Sequence, residues 1–248
     1  MRQPFQKHHN ASMTPDALDS PLSHHPGLPC VLLTGFAPFG DARYTLPAVN
    51  PSWLSVEALH GQQIAGHQII AAQLPCEFAD SGPELQRLLQ VHKPALVICV
   101  GQAGGRNAMS LERVAINVID ARIADNAGLR PVDMPVVAGG PAAYFSTLPI
   151  KAMLQALQAA GVAAEVSQTA GTFVCNQVFY ALMHTLAGRC GAQHGMPGTR
   201  GGFIHVPYLP GQGSPSMPLE DLVRGLRLAV ATAISTPQDI ACAAGAVS

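Results

Sequence analysis

Charged residues are scarce. Asp, Glu, Lys and Arg make up 12% of the 248 residues, and 14 basic against 15 acidic side chains leave a formal charge of -1. Binding a polyanion needs a basic patch or stripe; with no run of Lys or Arg, nucleic acid is not an expected partner. Long apolar runs are missing too. PALVICV at 94–100 falls well short of the ~20 residues that span a bilayer, so no membrane partner is expected. Residues 1–27 are polar, without the apolar core of a signal peptide, and the expected location is cytoplasmic. The sequon at Asn10-Ala11-Ser12 is read as accidental. Cys30, Cys76, Cys99, Cys175, Cys190 and Cys242 include no CxxC pair, and a chain this long needs no disulfide framework.

Motifs for several chemistries are also absent. GQAGGR at 101–106 has the glycines of a phosphate loop but matches neither GxGxxG nor GxxxxGK[ST]. The ten histidines are scattered and HExxH does not occur; neither does the GxSxG elbow of serine α/β-hydrolases. No metal and no cofactor is expected.

What remains is a chain that is 48% hydrophobic, with 24 Gly and 21 Pro as punctuation. Apolar runs predict strands at 30–36, 64–75, 95–100, 111–120, 163–170 and 201–208. Helical spacing predicts helices at 52–60 (Ser52 as candidate cap), 81–92, 148–160, 173–187 and 218–235. A long loop is read from 121 to 147. Strands alternating with helices predict a single-domain α/β fold, a mostly parallel central sheet with helices on both faces. The domain is expected over 29–236, with a disordered extension at 1–28 and a peripheral tail at 237–248. Sparse charge fits an additional buried surface such as an oligomer contact.

Sites in such sheets gather beyond the carboxyl ends of the strands. Cys175, in QTAGTFVCNQ, stands in the opening turn of a helix, where unpaired amides favour a thiolate. Position alone leaves it open whether Cys175 is a nucleophile or a small buried hydrophobe. His205, in GGFIHVPY, is either its base or a ring that satisfies a backbone carbonyl. A third group would have to hold the imidazole tautomer, and Glu112, Glu77 and Asp125 all compete for that part.

VLLTGFAPFG with NPSW, VICVGQAGGR with ERVAIN and ARIADN, GGPAAYFSTLP, TAGTFVCN and GGFIHVPYLP run in order from Val31 to Pro210. In this set the chain resembles the pyroglutamyl peptidase I (pyrrolidone-carboxylate peptidase) family of cysteine peptidases. The resemblance implies hydrolysis after an N-terminal pyroglutamyl residue of peptides, through a thioester, with Cys175 as nucleophile, His205 as base and Glu112 as the acidic triad member. It places substrate-binding positions on Phe36, Phe39, Asn50, Gln102 and Phe173, with Arg122 as oxyanion or electrostatic support. It further implies a homo-oligomer such as a tetramer.

A pyroglutamyl residue is a compact neutral lactam, so aromatic rings over its faces and a few backbone groups at its N–H and C=O suit it. A free N-terminal glutamate would bring an ammonium to be desolvated, at several kcal/mol if unpaired. Two other readings would use the same residues: a non-catalytic binder of blocked N-termini, and a hydrolase of another amide. The chain departs from the family pattern at Asp41, which stands where a second Gly is usual, and in a lengthened 41–49 stretch. Gln177 replaces a His after Cys-Asn, and Ala124 replaces a Pro.

Overall fold

The structure, a computed structural model, describes residues 27–39, 49–188, 196 and 198–245. The extension read at 1–28 falls almost wholly outside the described residues, as do Asp41, the rest of its loop up to residue 48, and Cys190. In chain order the first half holds β1 (Cys30–Phe36), α1 (Pro51–Glu57), β2 (Gln63–Ile64), β3 (His67–Leu74), α2 (Ser81–His92), β4 (Leu96–Gln102), β5 (Met109–Glu112) and β6 (Val114–Ile116). The second half holds β7 (Ala143–Phe145), α3 (Ile150–Ala159), β8 (Ala164–Ser167), α4 (Val174–Leu186), β9 (Arg200–Val206) and α5 (Leu219–Ser235).

Among the described residues the main sheet runs β2-β3-β1-β4-β9-β5-β8. Strands β3, β1, β4 and β9 are parallel neighbours, and β8 is parallel to β5. Two pairs are antiparallel, β2 with β3 and β5 with β9, so the sheet is mostly parallel, as expected, with an antiparallel pair towards each side. The central strands are apolar on both faces because both faces are covered. Val31 and Leu33 pack in one cluster with Val56 of α1, Met153 of α3 and Leu226 of α5. Leu32, Val97 and Phe203 pack in the other with Leu85 of α2 and Phe179 of α4. That second face carries the site.

Three local expectations change. The run at 64–75 is a hairpin: Ala65 and Gly66 both take positive φ (46° and 77°), which a two-residue turn between antiparallel strands requires. The run at 111–120 divides after Glu112, because its neighbour β8 ends at Ser167 and the chain beyond pairs with β7 in a separate two-stranded sheet. The long loop at 121–147 accordingly contains β7. Finally, Asn50 rather than Ser52 caps α1. Asn50 Oδ1 accepts from the Ser52 amide (3.0 Å) and hydroxyl (2.8 Å), Pro51 opens the helix, and Ser52 Oγ accepts from the Phe36 amide at 3.0 Å.

The segment after α5 folds back. Asp239 accepts hydrogen bonds from the amides of Lys151 and Ala152 at the start of α3, and Arg113 donates to the Ala244 carbonyl at 3.3 Å.

Where β1 meets α1, Gly35 leaves no room for a side chain: a Cβ there would lie 2.6 Å from the Trp53 backbone nitrogen and Cα. Gly35→Ala is expected to destabilise the fold by about 2 kcal/mol or more. Urea unfolding followed by the fluorescence of Trp53, the single tryptophan, measures this.

Candidate active site

The carboxyl ends of β1, β4 and β9 and the amino end of α4 converge on one cleft of about 280 Å³. It is lined by Phe36 at the end of β1 and Phe39 beyond it, by Gln102 at the end of β4 with Ala103 and Arg106 beyond it, and by Phe173, Cys175 and His205. A larger depression of about 460 Å³ lies over the first turns of α5, lined by Leu219, Glu220, Val223, Arg224 and Arg227. It has no cysteine or histidine, so the chemistry selects the smaller cleft.

His205 is buried on β9, and its Nδ1 lies 2.7 Å from Glu112 Oε1. The register explains the meeting. Ser110 pairs with His205 and Glu112 with Phe203 on antiparallel strands, which makes Glu112 and His205 diagonal neighbours on one face. With Nδ1–H donating to the carboxylate, Nε2 is the ring nitrogen left to accept a proton. The Phe203 ring, 4.8 Å from the imidazole centroid, restricts it from one side.

Cys175 approaches from the second residue of α4. A Cβ on Gly101 would lie 2.8 Å from Cys175 Sγ, and Gly101 is the register partner of His205. The sulfur therefore overhangs the sheet beside the base. α4 is held there by Asn176, fully buried, which accepts from the Ile116 amide (3.0 Å) and donates to the carbonyls of Ile116 (2.9 Å) and Val118 (3.0 Å).

Burial dominates the titration of the pair. It pushes the Cys175 thiol up, with Cys76 and Glu112 adding to the rise and Arg106 opposing it. It pushes His205 down, although its hydrogen bond to Glu112 and that group's charge act upward. The expectation that the helix start alone would favour a thiolate gives way to desolvation.

The three competing carboxylates separate clearly. Glu112 meets His205, whereas Asp125 accepts from the amides of Phe78 (2.7 Å), Ala127 (3.0 Å) and Leu129 (2.8 Å). Glu77 is not among the residues that line the cleft. Asp125 still serves the site at one remove. Gln177 Nε2 donates to the Phe78 carbonyl at 2.7 Å, so both backbone groups of Phe78 are held, and its ring meets Phe173 edge-on at 5.2 Å. Phe173 in turn lies 6.4 Å from Phe39.

Asn50 lines the cleft, but its amide is engaged at α1 and with the Ala37 carbonyl (3.2 Å), so it holds the chain between Phe36 and Phe39. Arg122 is exposed and is not among the lining residues. The guanidinium that lines the cleft belongs to Arg106, whose Nη1 lies 2.7 Å from Glu112 Oε1. Neither the glycine spacing of GQAGGR nor the resemblance that this motif helps to carry assigns Arg106 a role. Asn176 was missed as well, and its place directly after Cys175 was the available signal. Among the described residues no group of three or more His, Cys, Asp or Glu could hold a metal ion.

The sequence profile of the pyroglutamyl peptidase family matches residues 30–236. The chain belongs to the pyroglutamyl peptidase family. It is 59% identical over 218 residues to a pyrrolidone-carboxylate peptidase of Cupriavidus taiwanensis, covering 86% of this chain and 96% of that protein. It is 56% identical over 223 residues to pyrrolidone-carboxylate peptidase 1 of Ralstonia nicotianae, covering 88% and 99%. The crystal structure of pyroglutamyl peptidase I from Bacillus amyloliquefaciens superposes with a TM-score of 0.80 at 42% identity, over 87% of this chain and all (100%) of the other. The pyrrolidone carboxyl peptidase of Thermococcus litoralis gives a TM-score of 0.79 at 33% identity over the same shares, 87% and 100%.

In this pyroglutamyl peptidase fold a methyl group at Gly101 would press on both Cys175 Sγ and the Phe203 ring. Gly101→Ala is expected to lower kcat/KM about 100-fold by displacing the sulfur, with the circular dichroism of the folded chain retained.

Proposed function

We propose that this chain is a cysteine peptidase that releases pyroglutamate from the N-terminus of peptides, with Cys175, His205 and Glu112 as its reacting group. The observation that carries the reading is the meeting of a nucleophilic sulfur, an imidazole tethered through Nδ1 and three phenylalanine rings in one small cleft.

The substrate is a neutral lactam, and the cleft suits it. Phe36, Phe39 and Phe173 present apolar faces to the ring, while Gln102 offers an amide to its polar edge. A free N-terminal glutamate would bury an ammonium against these rings in a cleft that no Asp or Glu lines among the described residues.

As the pyroglutamyl carbonyl arrives, Nε2 of His205 takes the Cys175 proton and the sulfur bonds to the carbonyl carbon. Glu112 stabilises the imidazolium that forms. The opening amides of α4, which has no side-chain cap, receive the oxyanion. His205 then gives its proton to the departing amine nitrogen as the C–N bond breaks, leaving a thioester. Water enters, His205 takes its proton, the hydroxyl bonds to the acyl carbon and the C–S bond breaks. The thiolate recovers the proton from His205 as pyroglutamate leaves. No step calls for a metal or cofactor.

We also infer a homo-oligomer. Ile123, Leu129, Val132, Met134 and Phe145 are exposed along 123–145, and Phe145 is 70% exposed. A second copy of the chain is the occupant this apolar surface fits. A cytoplasmic location keeps the thiol of Cys175 reduced.

Release of a chromogenic amine from an L-pyroglutamyl substrate tests the function, with prolyl and glutamyl analogues as controls. Cys175→Ser and His205→Ala are each expected to lower kcat/KM by a factor on the order of 10³ or more while the fold persists. Normal turnover in either variant would sink this mechanism.

The pH profile supplies a second check. A base whose pKa is lowered stays unprotonated to lower pH, so the acid limb of kcat/KM is expected below pH 6.5, the ordinary value for histidine. An acid limb above 6.5 would contradict the burial of His205.

A further inference from the structure

We propose that Arg106 is a positioning residue of this reaction: its guanidinium clamps Glu112 to the connection that leads into Cys175 and balances the buried negative charge of the carboxylate that tethers His205. The proposal rests on the reading of Cys175 and His205 as the reacting pair.

The geometry is a two-ended bridge. Arg106 Nη1 donates to Glu112 Oε1 at 2.7 Å, and Nη2 donates to the Thr169 carbonyl at 3.0 Å. Glu112 ends β5, and Thr169 lies between β8 and α4, so a single planar group ties the strand that orients the base to the segment that delivers the nucleophile. The same oxygen, Oε1, also receives His205 Nδ1 at 2.7 Å. Glu112 is 0% exposed, whereas Arg106 keeps a quarter of its side chain (25%) exposed and lines the cleft. The imidazole tether thus ends on a carboxylate whose negative charge is already matched by a cation.

The charge has a definite consequence for the pair. The titratable groups that act on Cys175 and His205 come from four places. They are Glu112 on β5, Arg106 between β4 and β5, Cys99 on β4, and Cys76 just after β3. Glu165 on β8 stands one step further out and accepts from Ser110 Oγ, beside His205 in the register, at 2.8 Å. Burial pushes Cys76 and Cys99 up to about 12, so both stay neutral thiols over the working range. Among the described residues Arg106 is the one cation that acts on both members of the pair. Its positive charge favours the thiolate and disfavours the imidazolium, so it lowers both titrations together. It changes little in the ease of proton transfer from sulfur to nitrogen, because the two effects oppose each other in that step. What it sets is the pH window in which the pair carries a single transferable proton.

The test uses the full chain with Arg106→Gln and Arg106→Lys, read by kcat/KM on a pyroglutamyl amide and by the rate of Cys175 alkylation with iodoacetamide, both against pH. In Arg106→Gln, both limbs of the kcat/KM profile and the rise of alkylation with pH are expected to move up by about 1 pH unit. The maximum kcat/KM falls at least tenfold as the clamp on Thr169 is lost. Arg106→Lys, which keeps the charge and not the two-ended bridge, should return the limbs to within a few tenths of a unit of wild type while the maximum stays low. Limbs that do not move in Arg106→Gln, or that move equally in both variants, overturn the proposal and leave a structural role only. If Arg106→Gln does not fold, Arg106→Lys decides by itself: limbs at wild-type positions with a lowered maximum uphold the proposal, and displaced limbs overturn it. Failure of the underlying reading looks different, since alkylation would then leave wild-type turnover intact.

Discussion

A single buried oxygen, Glu112 Oε1, organises the site. It receives the imidazole of His205 and the guanidinium of Arg106, each at 2.7 Å, in a position wholly removed from solvent. An isolated carboxylate buried in this way would be costly, and its two partners make it tenable. In return it fixes the tautomer of His205, so that Nε2 is the nitrogen available for proton transfer. The same enclosure pushes the Cys175 thiol up and His205 down, because it disfavours any charge without a partner.

The fold supplies the approach distances that this chemistry needs. Sheet strands carry His205 and Glu112 on the face covered by α4, and a residue without a side chain at Gly101 lets Cys175 Sγ settle against the sheet next to them. On the opposite face the same device recurs, where Gly35 admits the backbone of α1 at Trp53. The Asn50–Ser52–Phe36 hydrogen bonds connect that packing to the start of the aromatic wall. Phe78, Phe173 and Phe39 continue the wall, held from behind by Asp125 and Gln177. Gln177 stands where the family pattern usually has His, and its amide donates to a carbonyl with no charge involved.

Much of this was legible before any coordinates. The buried strands β1, β4 and β9 read as continuous apolar runs because both of their faces are covered, and α2 and α5 read from helical spacing. The hairpin at Ala65-Gly66 and the division of the 111–120 run were not legible. The division depends on where β8 stops and the hairpin on Ala65 taking a positive φ, and an apolar run carries no mark of either. Asn50 in place of Ser52 as the cap of α1 was missed because both residues are good caps, and the choice is settled by the Phe36 amide waiting for Ser52 Oγ.

The sequence by itself determined the family, the α/β class and the presence of one cysteine and one histidine at element ends, because these reside in local patterns and ordered motifs. The family resemblance pointed to Glu112, and the tertiary structure decided how that carboxylate reaches the histidine. Glu112 and His205 are 93 positions apart and come together through the antiparallel register of β5 on β9. Glu77 and Asp125, which position along the chain left open, do not meet the histidine: Asp125 accepts from backbone amides and Glu77 does not line the cleft. The same holds for the guanidinium: Arg122 is exposed, and Arg106 occupies the cleft. Register and long-range packing set these outcomes, and neither is encoded in the spacing of residues along the chain.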